Sequence, residues 1–216
     1  MRWFRVASGV LTILVAGGTC RAADRLGVGV KAGTLGIGVD FTGSVNDWFG
    51  LRASANQYNY SHGFDKEGIH YDGDLKLGGS GVLADFYPLK GRFRLTGGAL
   101  SNRTKVDLTA APTSDVQIGD TTYTPSQVGT LNGEMKFRSS VPYFGIGYGK
   151  AAKGPGRIGF AFDVGVMPEG RPHVTLASST GLVSMADLQK EESKVSDDTK
   201  NFKLWPVIAL GISFRI

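Results

Sequence analysis

The chain has 216 residues, of which 41% are hydrophobic and 20% charged, with a formal charge of +5, one cysteine and 32 glycines. This length suits a single domain. One cysteine excludes an internal disulfide, no apolar run approaches the roughly 18 residues of a spanning helix, and so many glycines favour turn-rich β structure over a helical bundle.

Arg2 and Arg5 precede the apolar run Val10–Ala16, then small residues and Cys20-Arg21-Ala22-Ala23. That is the order of a secretory signal peptide, expected over residues 1–22 with cleavage after Ala22 or Ala23. Its removal takes Arg2, Arg5, Arg21 and Cys20 with it, which lowers the formal charge from +5 to +2 and leaves no thiol. A nucleic-acid partner is then not expected. Residues 23–216 form the expected folded domain.

Period-2 alternation recurs along that domain. Leu26, Val28, Val30 and Ala32 oppose Gly27, Gly29 and Lys31, and a tight turn at Gly33-Thr34-Leu35 leads to Ile37, Val39 and Phe41 opposing Gly38, Asp40 and Thr42. After Val45-Asn46-Asp47, Phe49, Leu51, Ala53 and Ala55 oppose Arg52, Ser54 and Asn56. His62–Asp74 reads as a polar loop. In Leu75–Tyr87, Leu75 and Leu77 have the wrong parity for the strand that follows, and a bulge at Gly78-Gly79-Ser80-Gly81 would repair it. Past the turn at Pro88–Gly91, Phe93, Leu95, Gly97 and Ala99 oppose Arg94, Thr96, Gly98 and Leu100. Arg103–Gly133 reads as a long loop with room for a small hairpin. Val141–Gly149 and Arg157–Val166 are two further strands, and Met167–Phe202 is a long connection with a possible helix near Ser184–Val195, N-capped by Ser184.

The terminal stretch Lys203–Ile216 has one continuously apolar face, Leu204, Pro206, Ile208, Leu210, Ile212, Phe214 and Ile216. It is long enough to cross a bilayer at a tilt, which takes about 9–11 residues. Eight strands result, with short turns alternating with long connections. The expected fold is all-β: an eight-stranded antiparallel up-and-down transmembrane β-barrel, with both termini at the short-turn, periplasmic end of an outer-membrane protein. Phe41, Phe49, Phe86, Phe93, Tyr148 and Phe214 all fall on the apolar face near that end and would form an aromatic girdle at one membrane interface. A soluble barrel would instead bury the face that holds Lys31, Asp40, Arg52, Asp85, Arg94, Asp163 and Arg215, at several kcal/mol per unpaired charge.

That polar face is expected to fill the bore as a network of Asp40, Arg52, Asp85, Arg94, Tyr143, Asp163 and Arg215. A three-residue turn at 45–47 sets Asp40 opposite Arg52, and a four-residue turn at 88–91 sets Asp85 opposite Arg94. No catalytic, cofactor or metal site is expected. His62, His70 and His173 all lie in predicted loops without ligand spacing, and no strand histidine neighbours a strand serine.

The stretches Lys31-Ala-Gly-Thr-Leu-Gly-Ile-Gly, Leu83-Ala-Asp-Phe-Tyr-Pro and Pro142-Tyr-Phe-Gly-Ile-Gly-Tyr-Gly resemble small Gram-negative outer-membrane barrel proteins of the OmpA-like or OmpW-like kind. The chain departs from the usual aromatic last residue by ending Phe214-Arg215-Ile216. The resemblance implies outer-membrane lipid and lipopolysaccharide as surroundings, delivery to the barrel-insertion machinery through the C-terminal strand, and an extracellular ligand at the long loops. It implies a structural or surface-interaction role. The alternatives are a narrow channel for small, hydrophobic molecules and a lipid-modifying barrel enzyme.

Overall fold

The computed structural model describes residues 25–66, 69–152, 156–199 and 203–216, so the predicted leader and its cleavage site lie outside the described residues. Along them run β1 (Leu26–Gly33), β2 (Gly36–Ser44), β3 (Phe49–Lys66), β4 (Ile69–Phe86), β5 (Phe93–Asn102), β6 (Lys105–Pro112), β7 (Val116–Ile118), β8 (Thr121–Tyr123) and the short helix α1 (Pro125–Val128). They continue with β9 (Leu131–Lys136), β10 (Ser140–Tyr148), β11 (Ile158–Pro168), β12 (His173–Ser178), α2 (Met185–Asp198) and β13 (Leu204–Arg215).

Eight of these strands close on themselves. β1 pairs with β2, β2 with β3, β3 with β4, β4 with β5, β5 with β10, β10 with β11, β11 with β13, and β13 with β1, each antiparallel. The ring strands are the eight read from the alternation. Among the described residues there are thirteen strands in all, because the predicted long loops carry strands of their own.

The extra strands build an upper sheet. β3 and β4 do not end at a loop over His62–Asp74 but run on as one hairpin in unbroken register, from Phe49↔Phe86 to Lys66↔Ile69. The lower part of β4 pairs with β5, from Gly79 to Phe86. Its upper part pairs with β6, β6 with β9, and β9 with β12. Beside this sheet, Ile118, Tyr123, Val128, Val183 and Leu188 form a core of their own under α2. Ser184 caps that helix, its hydroxyl accepting from the Ala186 amide.

Two sequence expectations about pairing are corrected. There is no bulge at Gly78–Gly81, since the β3–β4 register never slips. Directly opposed partners also differ by two residues from the hairpin arithmetic. Asp40 lies across from Ser54 and Thr42 from Arg52, and Asp85 lies across from Thr96 in place of Arg94. The turns are longer than their composition suggested. At the first, the Asn46 side chain accepts from the amides of Trp48 and Phe49, both at 2.8 Å, and the Phe49 carbonyl accepts from Val45 and Asn46. At the second, Lys90 takes a positive φ of 51°, and the Arg92 carbonyl is taken by the Gly149 amide of the next hairpin. A slip of two changes partners but leaves every side chain on its face.

Candidate functional site in the ring interior

The two faces of the β3–β4 hairpin exchange character partway along. In the ring, the outward positions Phe49, Leu51, Ala53 and Val82, Ala84 are apolar, while the inward positions Arg52, Ser54, Asn56 and Asp85 are polar and buried. Above the rung Gln57↔Gly78 the pattern inverts. The outward positions become Gln57, Asn59, Ser61 and Asp72, Asp74, Lys76, and the opposite face becomes Tyr58, Tyr60, His62, Phe64 and Tyr71, Leu75, Leu77, of which Tyr58, Tyr60 and Phe64 are themselves exposed. This inversion is the reason Leu75 and Leu77 broke the parity of the sequence pattern. No backbone irregularity is needed, only a change in what each face meets.

Inside the ring, charged side chains from six strands converge. Arg52 of β3 reaches Asp85 of β4 at 2.9 Å, Asp163 of β11 at 3.1 Å and Asp40 of β2 at 3.5 Å. Arg94 of β5 grips both oxygens of Asp163 at 2.8 Å and approaches Asp85 at 3.6 Å. Lys31 of β1 closes on Asp40 at 2.8 Å and donates to Ser54 at 2.8 Å. Thr96 donates to Asp85 at 2.6 Å. Three cations thus face three carboxylates. Arg52, Asp85, Arg94 and Asp163 are each at most 5% exposed. Ionised, bidentate contacts of this kind are the strong class of hydrogen bond. β3 and β11 stand four places apart in the eight-stranded ring, so the Arg52–Asp163 contact crosses the full bore.

Glycine makes room for this layer. A Cβ on Gly147 would stand 2.7 Å from Asp163 Oδ1 and 2.8 Å from Arg94 Nε. Likewise a Cβ on Gly145 or Gly165 would meet the Tyr143 hydroxyl at 2.5 or 2.6 Å. The glycine run of β10 is therefore bore space, not a phosphate cradle.

Toward the upper sheet a second, apolar layer fills the interior. It comprises Leu83, Leu100, Val141, Tyr143, Met167 and Val207, with Leu35 folded in from the β1–β2 turn. Tyr143 belongs to this layer and, among the described residues, is not hydrogen-bonded to the ion network. Arg215 lies on the inward face at the lower end of β13, two residues past the buried Ser213, and is half-buried there. Above the apolar layer, just beyond the end of β11, Glu169 is 1% exposed and accepts from Asn102 Nδ2 at 2.8 Å through Oε1, while Oε2 has no partner among the described residues. Burial pushes this carboxyl up to about 7, against the smaller opposing effect of the Asn102 bond.

Lys31, Thr96 and Glu169 are among the interior residues that the predicted network omitted. Lys31 and Thr96 share inward parity with the residues that were named. Glu169 carried no signal, because it lay in a predicted loop.

Outside the ring, Phe41, Phe49, Phe93, Tyr148 and Phe214 are exposed, and Phe86 stacks between Phe49 and Trp48 at 5.1 and 6.2 Å. Phe93 and Tyr148 are direct cross-strand partners, and Phe41 and Phe214 flank Val28 on one rung. The histidines sit on the upper sheet. His62 stacks between Tyr60 and Phe64, His173 opens β12, and His70 bonds Asp65 at 2.6 Å, which raises its basicity. Among the described residues no cluster of His, Cys, Asp or Glu could hold a metal ion.

No protein-family model matches this chain, and no curated protein matches it. Among solved structures, the crystal structure of Acinetobacter baumannii CarO2 is similar, with a TM-score of 0.60 at 23% identity over 89% of this chain and 98% of that one. Acinetobacter baumannii CarO gives a TM-score of 0.60 at 24% identity with the same coverage. At this identity the likeness is one of fold: an all-β antiparallel architecture shared along nearly the whole length of both neighbours.

Proposed function

We propose that the chain is an outer-membrane β-barrel with a side-chain-filled bore, acting as a structural and surface-interaction protein through its upper sheet. The observation that carries this reading is the exchange of faces at Gln57↔Gly78. Below that rung the exterior is apolar around buried ion pairs, and above it the exterior is charged. A molecule wholly in water has no reason to change its outward character at one height, whereas a bilayer edge supplies one. The ring strands β2, β5, β10, β11 and β13, at 9 to 12 residues, have the length needed to cross hydrocarbon at a tilt. On this reading the termini and short turns face the periplasm, the upper sheet faces outward, and the outward aromatics of the lower rim meet headgroups. The terminal strand β13 is what the insertion machinery would receive.

A plugged bore fits this role better than a channel. The ionic layer spans the ring, and the apolar layer above it offers no hydrated path. Catalysis has no support in the arrangement of the three histidines, and no cofactor is invoked. The test is membrane fractionation with gel migration before and after heating. The chain is expected in the outer-membrane fraction, with a folded species that shifts on boiling. Recovery in the soluble fraction without detergent would overturn the reading.

A further inference from the structure

At the upper rim the ring is not flush. β1 stops at Gly33, opposite Ala209, while β13 continues upward through Leu204. The β1–β2 turn is pinned against this projecting end. Thr34 Oγ1 donates to the Pro206 carbonyl at 2.8 Å and accepts from the Ile208 amide at 3.1 Å. Met135 and Phe137, from the end of β9 and the segment after it, and Pro172, from the segment before β12, roof the gap. The result is a cavity of about 480 Å³ walled by these three with Leu204, Trp205 and Pro206, and edged by Thr34 and Thr199. That volume falls within the range of small-molecule sites.

Three features define what fits. Among the described residues no charged side chain lines the cavity. Its outer wall, Leu204 and Pro206, lies on the outward apolar face that continues down the strand through Ile208, Leu210 and Ile212. Its inner wall is Trp205, packed edge-on to Phe137 at 6.2 Å. A ligand with a long aliphatic body answers this lining.

We propose that this cavity takes an acyl chain of a bilayer lipid, entering sideways from the apolar belt. The inference rests on the membrane reading above. Continuity with the belt selects the occupant: a water-borne solute would have to cross the apolar rim, whereas a lipid tail is already there at high local concentration.

The test uses the W3F/W48F variant, whose only tryptophan is Trp205, in vesicles of phosphatidylcholine brominated along its chains. Trp205 fluorescence is expected to fall about twofold relative to vesicles of unbrominated lipid, as a site mostly occupied by mass action requires. Adding P172F or M135F, either of which fills the cavity from the roof, should abolish most of the quenching, while heat-modifiable migration shows each variant folded. Equal quenching with and without the filling substitution, or none in either, overturns the inference and leaves the membrane reading standing. Failure to enter vesicles at all overturns both.

Discussion

At the scale of single residues, the interior is governed by how completely each buried charge is matched. Arg52 serves three carboxylates at once, so replacing it by Ala leaves Asp85 with only the 3.6 Å approach of Arg94 for a cation, and Asp163 with Arg94 alone, in a site almost closed to water. The expected cost is roughly 3–5 kcal/mol, the range for removing one partner of a buried pair. Urea midpoints of the reconstituted protein would measure it, and Arg52→Lys should recover only part, because one ammonium cannot fork between carboxylates. Glu169 works in the opposite sense. Its carboxyl stays neutral in the folded protein up to about pH 7, while the same group in an unfolded chain ionises near 4.5. The folded state therefore binds the extra proton between those values, and stability falls as pH rises through that window, by ~3 kcal/mol, then levels off. Glu169→Gln should flatten the curve between pH 4.5 and 7. An unchanged profile would show that the carboxyl is not held neutral.

At the scale of elements, what distinguishes these strands is close approach across the bore. Gly147→Ala would drive a methyl group into Asp163 and Arg94, both held by the ion network. Such overpacking is expected to cost about 1–3 kcal/mol, seen as a lower unfolding midpoint. On the outer face of the upper sheet, Lys105 bridges Asp107 and Glu134, and Lys136 bonds Glu134, in a row of exposed pairs. The bonds from Lys105 and Lys136 hold the Glu134 carboxyl below its ordinary range. This row marks the outward face as a watered one. The same face of β4, a few rungs lower, is bare valine and alanine.

At the scale of the whole molecule, two stacked layers close the ring, one ionic and one apolar. Planar-bilayer recordings of the native chain should show no reproducible unitary steps. Arg94→Ala should show none either, because Leu83, Leu100, Val141 and Met167 still fill the bore above the missing charge. Steps in the Arg94→Ala variant would mean that the ionic layer alone seals the interior.

Much of this was written in the sequence. Strand parity is a period-2 property of the chain itself, so the eight ring strands, the inward set Asp40, Arg52, Asp85, Arg94 and Asp163, and the outward phenylalanines follow from alternation alone. Parity survives a slip of two residues, which explains why the faces were legible while the opposed partners were not. Partner choice belonged to tertiary structure. The Asn46 side chain and the left-handed Lys90 lengthen two turns, and Arg52 pairs across the bore with a residue 111 positions away. The upper sheet was likewise invisible, because its strands have short, weak or inverted patterns that only make sense once β4 has left the apolar belt and exchanged one partner for another.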